Sequence, residues 1–195
     1  MDCNHIIITK KMVKIDYFGL TFSAKMEVCE ACKAYLWNTD SKEKLNLWLS
    51  EQKKTNRDRF VVQASLSNTA KECLDEVSKD YPGIQTSALI RAMTFIFLHF
   101  MEKPETAEMF EMVTGSEIYE SFAKQEKHIV KIQFSSSGMM DLHSWSKILQ
   151  IKIPKIVEEA VYRITSFHVE SDPKLKAFWE TQISPQISLV LKSVA

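Results

Sequence analysis

From Leu20 to Val28 the chain alternates: Leu20, Phe22, Ala24, Met26 and Val28 are apolar, while Thr21, Ser23, Lys25 and Glu27 are polar. A period of two is that of a half-buried strand. The preceding run, Ile6 to Ile15, is rich in β-branched residues, and Asp16-Tyr17-Phe18-Gly19 can turn the chain, so the two arms predict a β-hairpin. Asp40 with Glu43 has capping-box spacing and predicts a helix through Leu45, Trp48 and Leu49. The polar stretch from Glu51 to Asp58 then reads as a linker.

Past the linker, a strand followed by two helices occurs twice. The first copy runs from Arg59 to Leu66 as strand, and Ser67-Asn68 caps a helix with Ala70, Leu74, Val77 and Tyr81 on one face. Pro82-Gly83 ends that helix, and Gln85-Thr86-Ser87 opens another carrying Leu89, Ile90, Met93, Phe97 and Phe100. The second copy has a strand from His128 to Phe134 and a cap in Ser135-Ser136-Ser137. Leu142, Trp145 and Leu149 then point inward, and Pro154 enters a last helix with Ile156, Val157, Ala160, Ile164 and Phe167. A shift of 68 places Leu66 on Phe134 and Leu74 on Leu142, and after one deletion a shift of 67 places Leu89 on Ile156 and Phe100 on Phe167. One position breaks the pattern, where Ile96 falls on Arg163.

These segments divide the chain into residues 1–54, 59–101, 102–127, 128–170 and 171–195. Residues 102–127 hold seven Glu against three Lys, yet carry Met109, Phe110, Met112, Ile118, Tyr119 and Phe122, which predicts a packed helical connector. The tail carries Leu175, Phe178, Trp179, Ile187, Leu189, Val190 and Leu191 and is expected to complete the core, with a self-association or partner-binding helix as the second reading.

A short strand and two helices at this spacing, with Gly83-Ile84-Gln85-Thr86-Ser87-Ala88-Leu89-Ile90-Arg91 at the turn, resemble the ribbon-helix-helix (MetJ/Arc-type) family of DNA-binding proteins. The resemblance covers about residues 59–101 and 128–168, and the second copy lacks the Gly of the turn. It implies an α+β, mainly helical fold. Two strand-helix-helix units would form an intramolecular pseudodimer with a two-stranded antiparallel ribbon that enters the major groove. With two copies in one chain, it is similar to some tandem ribbon-helix-helix accessory proteins of conjugative DNA transfer. The expected roles are therefore transcriptional regulation or plasmid and DNA-transfer accessory work on double-stranded DNA.

Alternation assigns the faces. Phe60, Val62, Ala64 and Leu66 face the helices, as do Val130, Ile132 and Phe134. Arg59, Val61, Gln63 and Ser65 then face outward with Ile129, Lys131, Gln133 and Ser135. Gln can bond adenine at two positions and Lys can reach guanine acceptors, so this face has chemistry for reading bases. The helix starts at Thr86 and Ser87, and at Lys152 and Lys155, are candidate phosphate contacts.

Four cysteines are present, and Cys3, Cys29 and Cys32 lie in the first 32 residues. Pairing the hairpin arms brings Cys3 and His5 beside Cys29 and Cys32, a closed set of the kind that binds structural Zn²⁺. About 35 residues bury too little apolar surface to hold such a hairpin alone. Residues 3–32 resemble a zinc ribbon, with Cys-x-His in place of the usual first pair and Lys33 where Gly is common.

Composition narrows the classes. An apolar fraction of 45% and a charged fraction of 26% are those of a soluble globular protein. Basic and acidic residues number 25 each, which excludes polyanion binding by bulk charge and requires any DNA site to be local. The apolar segment Ala88 to Met101 holds Arg91 and His99 and is shorter than the roughly 20 residues of a membrane span. The run Ile6-Ile7-Ile8 ends at Lys10-Lys11, too soon for a secretory leader, so a cytoplasmic location is expected. His5, His99, His128, His143 and His168 are scattered, Glu158 and Glu159 point to different helix sides, and no phosphate-binding Gly loop occurs. An enzyme is not expected. The alternative class is a non-catalytic protein-interaction module on the same scaffold.

Overall fold

The computed structural model describes residues 7–17, 20–56, 60–123 and 125–194. The protein is α+β and mainly helical, with 64% helix and 20% strand among the described residues. Its contacts divide it into two compact units, Met1–Phe60 with Ser135–Ser144, and Val61–Phe134 with Trp145–Ala195. Among the described residues no helix is long and apolar enough to cross a membrane.

The first unit is built on the hairpin. Strands β1 (Ile8–Tyr17) and β2 (Leu20–Cys29) pair antiparallel, with Ile8 opposite Cys29 and Val13 opposite Ala24. Phe22, Ala24, Met26 and Val28 are buried, as their alternation requires. A third, two-residue strand, β3 (Tyr35–Leu36), pairs with β2 and was not legible in the sequence. Helix α1 (Thr39–Thr55) buries Leu45 and Leu49 and stacks Trp48 on Phe22 at 5.5 Å. Its capping box is not Asp40 with Glu43. Asn38 accepts from the Ser41 amide, and Ser41 Oγ accepts from the Asn38 amide, because Asn38 already stands in extended backbone one residue before the helix. The helix also runs into the expected linker, since Glu51, Gln52, Lys53 and Lys54 are good helix formers.

In the second unit, β4 (Val61–Ser67) leads into α2 (Asn68–Lys79) and α3 (Thr86–Met101). The acidic connector folds as α4 (Ala107–Thr114) and α5 (Glu117–Ala123). Strand β5 (Lys127–Gln133) is followed by α6 (Ser136–Leu149), whose residues up to Ser144 belong to the first unit, and by α7 (Ile153–Val169), and the tail forms α8 (Pro173–Phe178) and α9 (Ser184–Val194) around a π-helical turn. Strands β4 and β5 pair antiparallel to make a two-stranded sheet.

Helix α7 is the centre of this unit. Ten of its residues, from Ile156 to Phe167, are buried, including Glu158, Thr165 and Ser166, so it is covered on nearly every side. Aromatic rings seal its C-terminal half: Phe110 meets Phe97 and Phe167, and Phe178 meets Phe100 and Phe167, at 5.2–5.7 Å between centroids. Leu175, Trp179, Ile183, Ile187 and Leu191 of the tail are buried, whereas Leu189 is 69% exposed. Arg163, the position that breaks the repeat, is half-buried because α5 covers it. Its guanidinium lies over Phe97 and Tyr119 and bonds Glu159 at 3.3 Å. Helix α6 departs from its counterpart α2. It buries only Gly138, Met139 and Leu142, and Trp145 and Leu149, expected inward, are half-buried.

The turns between the paired helices match across the repeat. Gly83 has φ 81, and Gln150, which is 67 positions later, has φ 56. Glycine meets no steric cost in this left-handed region, whereas a residue with a Cβ does. A Cβ at Gly83 would meet open space, so strain alone sets its effect. Gly83→Ala should lower stability by about 1 kcal/mol, and Gln150→Gly should be neutral or stabilising by up to about 1 kcal/mol, read as urea midpoints. A Gln150→Gly variant as destabilised as Gly83→Ala would contradict the shared turn geometry.

Candidate functional site

The β4–β5 sheet presents one buried and one open face. Val62, Ala64, Leu66 and Ile132 are buried, and Val130 is half-buried. The opposite face shows Val61, Gln63 and Ser65 from β4 with Ile129, Lys131 and Gln133 from β5. Gln63 lies directly opposite Lys131, flanked by the pairs Val61–Gln133 and Ser65–Ile129. Directly opposed side chains have Cβ atoms about 5 Å apart, so the amide and the ammonium stand side by side. Both are exposed, and neither side chain has a hydrogen bond or ion pair among the described residues. The two strands hold Lys127, His128 and Lys131 and no carboxylate.

The register and the repeat agree. Gln63 and Lys131 are 68 positions apart, the same shift that aligns the two copies, so each is paired with its own repeat equivalent. The helix starts follow the same relation. Ser67 Oγ accepts from the Ala70 amide at 3.2 Å, and Ser135 Oγ accepts from the Gly138 amide at 3.1 Å. Ser135, expected both in the cap and on the outer sheet face, lies past the end of β5 and caps α6, because its hydroxyl satisfies an amide with no partner within that helix.

The free edges of the two strands are held by the helices of the opposite copy. Glu158 of α7 accepts from the Ser65 amide at 2.9 Å, and the Tyr162 hydroxyl donates to the Ser65 carbonyl at 3.0 Å. On the other side, Arg91 of α3 donates to the Gln133 carbonyl at 3.1 Å, and Phe95 meets Phe134 edge-on at 6.0 Å. Arg91 and Glu158 are equivalent under the shift of 67, as are Phe95 and Tyr162. The same positions thus brace the same edge with opposite polarity. None of these four was singled out by sequence reasoning, although the repeat alignment already paired them.

Of the expected phosphate contacts, Thr86 and Lys152 are exposed and Ser87 is half-buried. Helices α3 and α7 start from the equivalent N-caps Gln85 and Lys152, both extended and neither making a side-chain cap. Ahead of the first helix bonds stand the Thr86 and Ser87 amides of α3 and the Ile153 amide of α7, whereas Pro154 has no N–H and the Ala88 and Lys155 amides bond the Gln85 and Lys152 carbonyls at 2.8 and 2.9 Å. Lys155 is differently placed. Its ammonium bonds Glu159 at 2.9 Å, reaches Glu158 at 3.8 Å and sits over the Tyr162 ring. Glu159 also accepts from Arg163 and from the Tyr119 hydroxyl, which ties α5 to α7. Arg59 lies outside the described residues.

For the metal set, Cys3 and His5 lie outside the described residues. Cys29 is fully buried at the end of β2, and Cys32 is exposed in the turn that follows. That turn is closed by Lys33 N–H to the Cys29 carbonyl at 2.8 Å and Cys29 N–H to the Ala34 carbonyl at 3.0 Å. Lys33 has φ 60, the left-handed conformation that explains why Gly is common there. Glu30 braces the turn against β1 with bonds from Thr9, Lys11 and Lys33, and these hold its carboxyl down at about 2. Among the described residues no group of three or more His, Cys, Asp or Glu could hold a metal.

No protein-family model matches this chain, and no curated protein and no solved structure matches it.

The Glu159 network carries a pH dependence. Burial raises the Glu159 carboxyl, but bonds from Tyr119 and Lys155 outweigh it and leave the group below its ordinary 4.5. Burial and the bond to Glu159 push the Tyr119 hydroxyl up to about 12. A depressed carboxyl contributes stability that is present above 4.5 and is lost as pH falls through its folded value. A raised hydroxyl contributes stability that is present below 10 and is lost as pH rises through about 12. Glu159→Gln should therefore lose less stability than the wild type on acidification below pH 4.5, seen in urea midpoints across the acid limb. Parallel acid limbs would refute the assignment.

Proposed function

We propose that this protein binds double-stranded DNA sequence-selectively by laying the β4–β5 ribbon in the major groove, as a transcriptional regulator or a DNA-transfer accessory protein. One observation carries the reading: Gln63 and Lys131, outward and unengaged, stand side by side at the centre of a carboxylate-free ribbon. The major groove admits a two-stranded ribbon, and it offers adenine and guanine edges that an amide and an ammonium can bond. Val61 and Ile129 are suited to thymine methyl groups.

The pseudodimer is the second part of the reading. Its support is the set of matched positions: the self-paired Gln63 and Lys131, the caps at Ser67 and Ser135, the left-handed turns at Gly83 and Gln150, and the braces at Arg91 and Glu158. Because the matched residues differ in type, the site recognised is asymmetric. Bulk charge cannot supply the affinity of a chain with zero net charge, so the reading requires local contacts from Lys131, Lys152 and the amides of Thr86 and Ser87.

The test is a titration of labelled duplexes at several salt concentrations. Gln63→Ala with Lys131→Ala should weaken binding to a selected site on the order of 100-fold with unchanged circular dichroism. Lys131→Ala alone should reduce the salt slope by about 0.9. Undetectable DNA binding by the wild type at low salt would sink the reading in favour of a protein-interaction module.

The turn geometry supports a structural Zn²⁺ held by Cys29 and Cys32 with Cys3 and His5. Deprotonated thiolates joined through the ion would tie the ends of a hairpin whose own core is small. Protein from zinc-replete cells should contain one zinc per chain by elemental mass spectrometry, and Cys29→Ser or Cys32→Ser should remove it. Zinc-free wild type would refute the site.

A further inference from the structure

A cavity of about 510 Å³ opens between the end of α3, α4 and α7, a volume within the range of small-molecule sites. Met101, Ala107 and Phe110 give it apolar walls, Thr114 adds a hydroxyl, and Glu111 and Arg163 are its charged residues. All of these belong to the second unit.

The fold does not ask for a charge at Arg163. Its repeat counterpart Ile96 is 2% exposed, and a guanidinium drawn to such a position costs free energy unless its donors are used. Nε bonds Glu159 and the Tyr119 hydroxyl takes a second donor, which leaves part of the five-donor fork over. The charge is not balanced locally either. Lys127, Lys155 and Arg163 face Glu158 and Glu159, three positive groups to two negative.

Glu111 is the complementary group. It is exposed, and its carboxylate has no hydrogen bond or ion pair among the described residues. Both it and Arg163 line the cavity, yet they form no ion pair with each other. A guanidinium with spare donors and a carboxylate without a partner, held apart beside apolar walls, match a zwitterion. The planar fork suits a carboxylate, which it can bond in two places. A simple carboxylic acid would meet repulsion from Glu111, and a simple amine would meet it from Arg163.

We propose that this cavity binds a free α-amino acid with a large apolar side chain, its carboxylate on Arg163, its ammonium on Glu111 and its side chain against Met101 and Phe110. The site is independent of the DNA reading.

Isothermal titration calorimetry of the full chain with L-phenylalanine tests it. The wild type should bind saturably at millimolar concentration. Hydrocinnamate, which lacks the ammonium, and phenethylamine, which lacks the carboxylate, should each bind roughly tenfold or more weakly. Glu111→Gln should weaken L-phenylalanine by a similar factor yet bind hydrocinnamate at least as well as the wild type, a crossover that misfolding could not give. Arg163→Lys, which keeps the charge beside Glu159, should weaken both acids, because an ammonium lacks the planar fork. No saturable binding of L-phenylalanine by the wild type would overturn the proposal. So would either analogue binding as tightly as the amino acid, or a variant at either position with unchanged affinity for it.

Discussion

Everything in the larger unit depends on the pairing of β4 with β5. The strands are separated in sequence by two helices, an acidic connector and their loops, so their ladder closes a long loop and must recover that entropy from packing. A two-stranded sheet is marginal by itself in water. It is held here because Val62, Ala64, Leu66 and Ile132 are buried and because α3 and α7 brace its two edges. Those braces also answer the ordinary hazard of a strand edge, the row of unpaired amides and carbonyls open to another chain.

Polarity at the braces is the one place where the matched halves are chemically opposed. Arg91 donates to a carbonyl, while Glu158 accepts from an amide, and each choice suits the backbone group that faces it. Glu158 is nearly buried beside Lys127 and Lys155, so its charge is compensated locally at distances of 4.0 and 3.8 Å. Lys155 is thereby drawn into the helix network, whereas Lys152 at the start of α7 has no ion pair among the described residues.

The smaller unit follows a different logic. Its hairpin has one apolar face, covered by α1, and one open face on which lysines predominate. The Cys29–Lys33 turn is held by backbone bonds and by the Glu30 clamp, in a conformation that a lysine adopts only at some strain.

Periodicity, a local property, carried a large part of this reading. The alternation from Leu20 to Val28, the apolar spacing of α2, α3 and α7, the cap at Ser67 and the first-turn Pro154 are written in neighbouring residues, and each is realised where it was expected. The shift of 68 that aligns the two copies also relates Gln63 to Lys131, the pair that the strand register places opposite each other. Contacts between residues far apart were not legible. Glu158 reaches Ser65 across 93 residues and Arg91 reaches Gln133 across 42, and no local pattern encodes which amide or carbonyl a side chain will find. Nor could sequence show that β3 extends the hairpin, since its two residues carry no period of their own. Tertiary structure decided those points, because hydrogen-bond partners and burial are set by which surfaces meet, whereas secondary structure is set largely by which residues are adjacent.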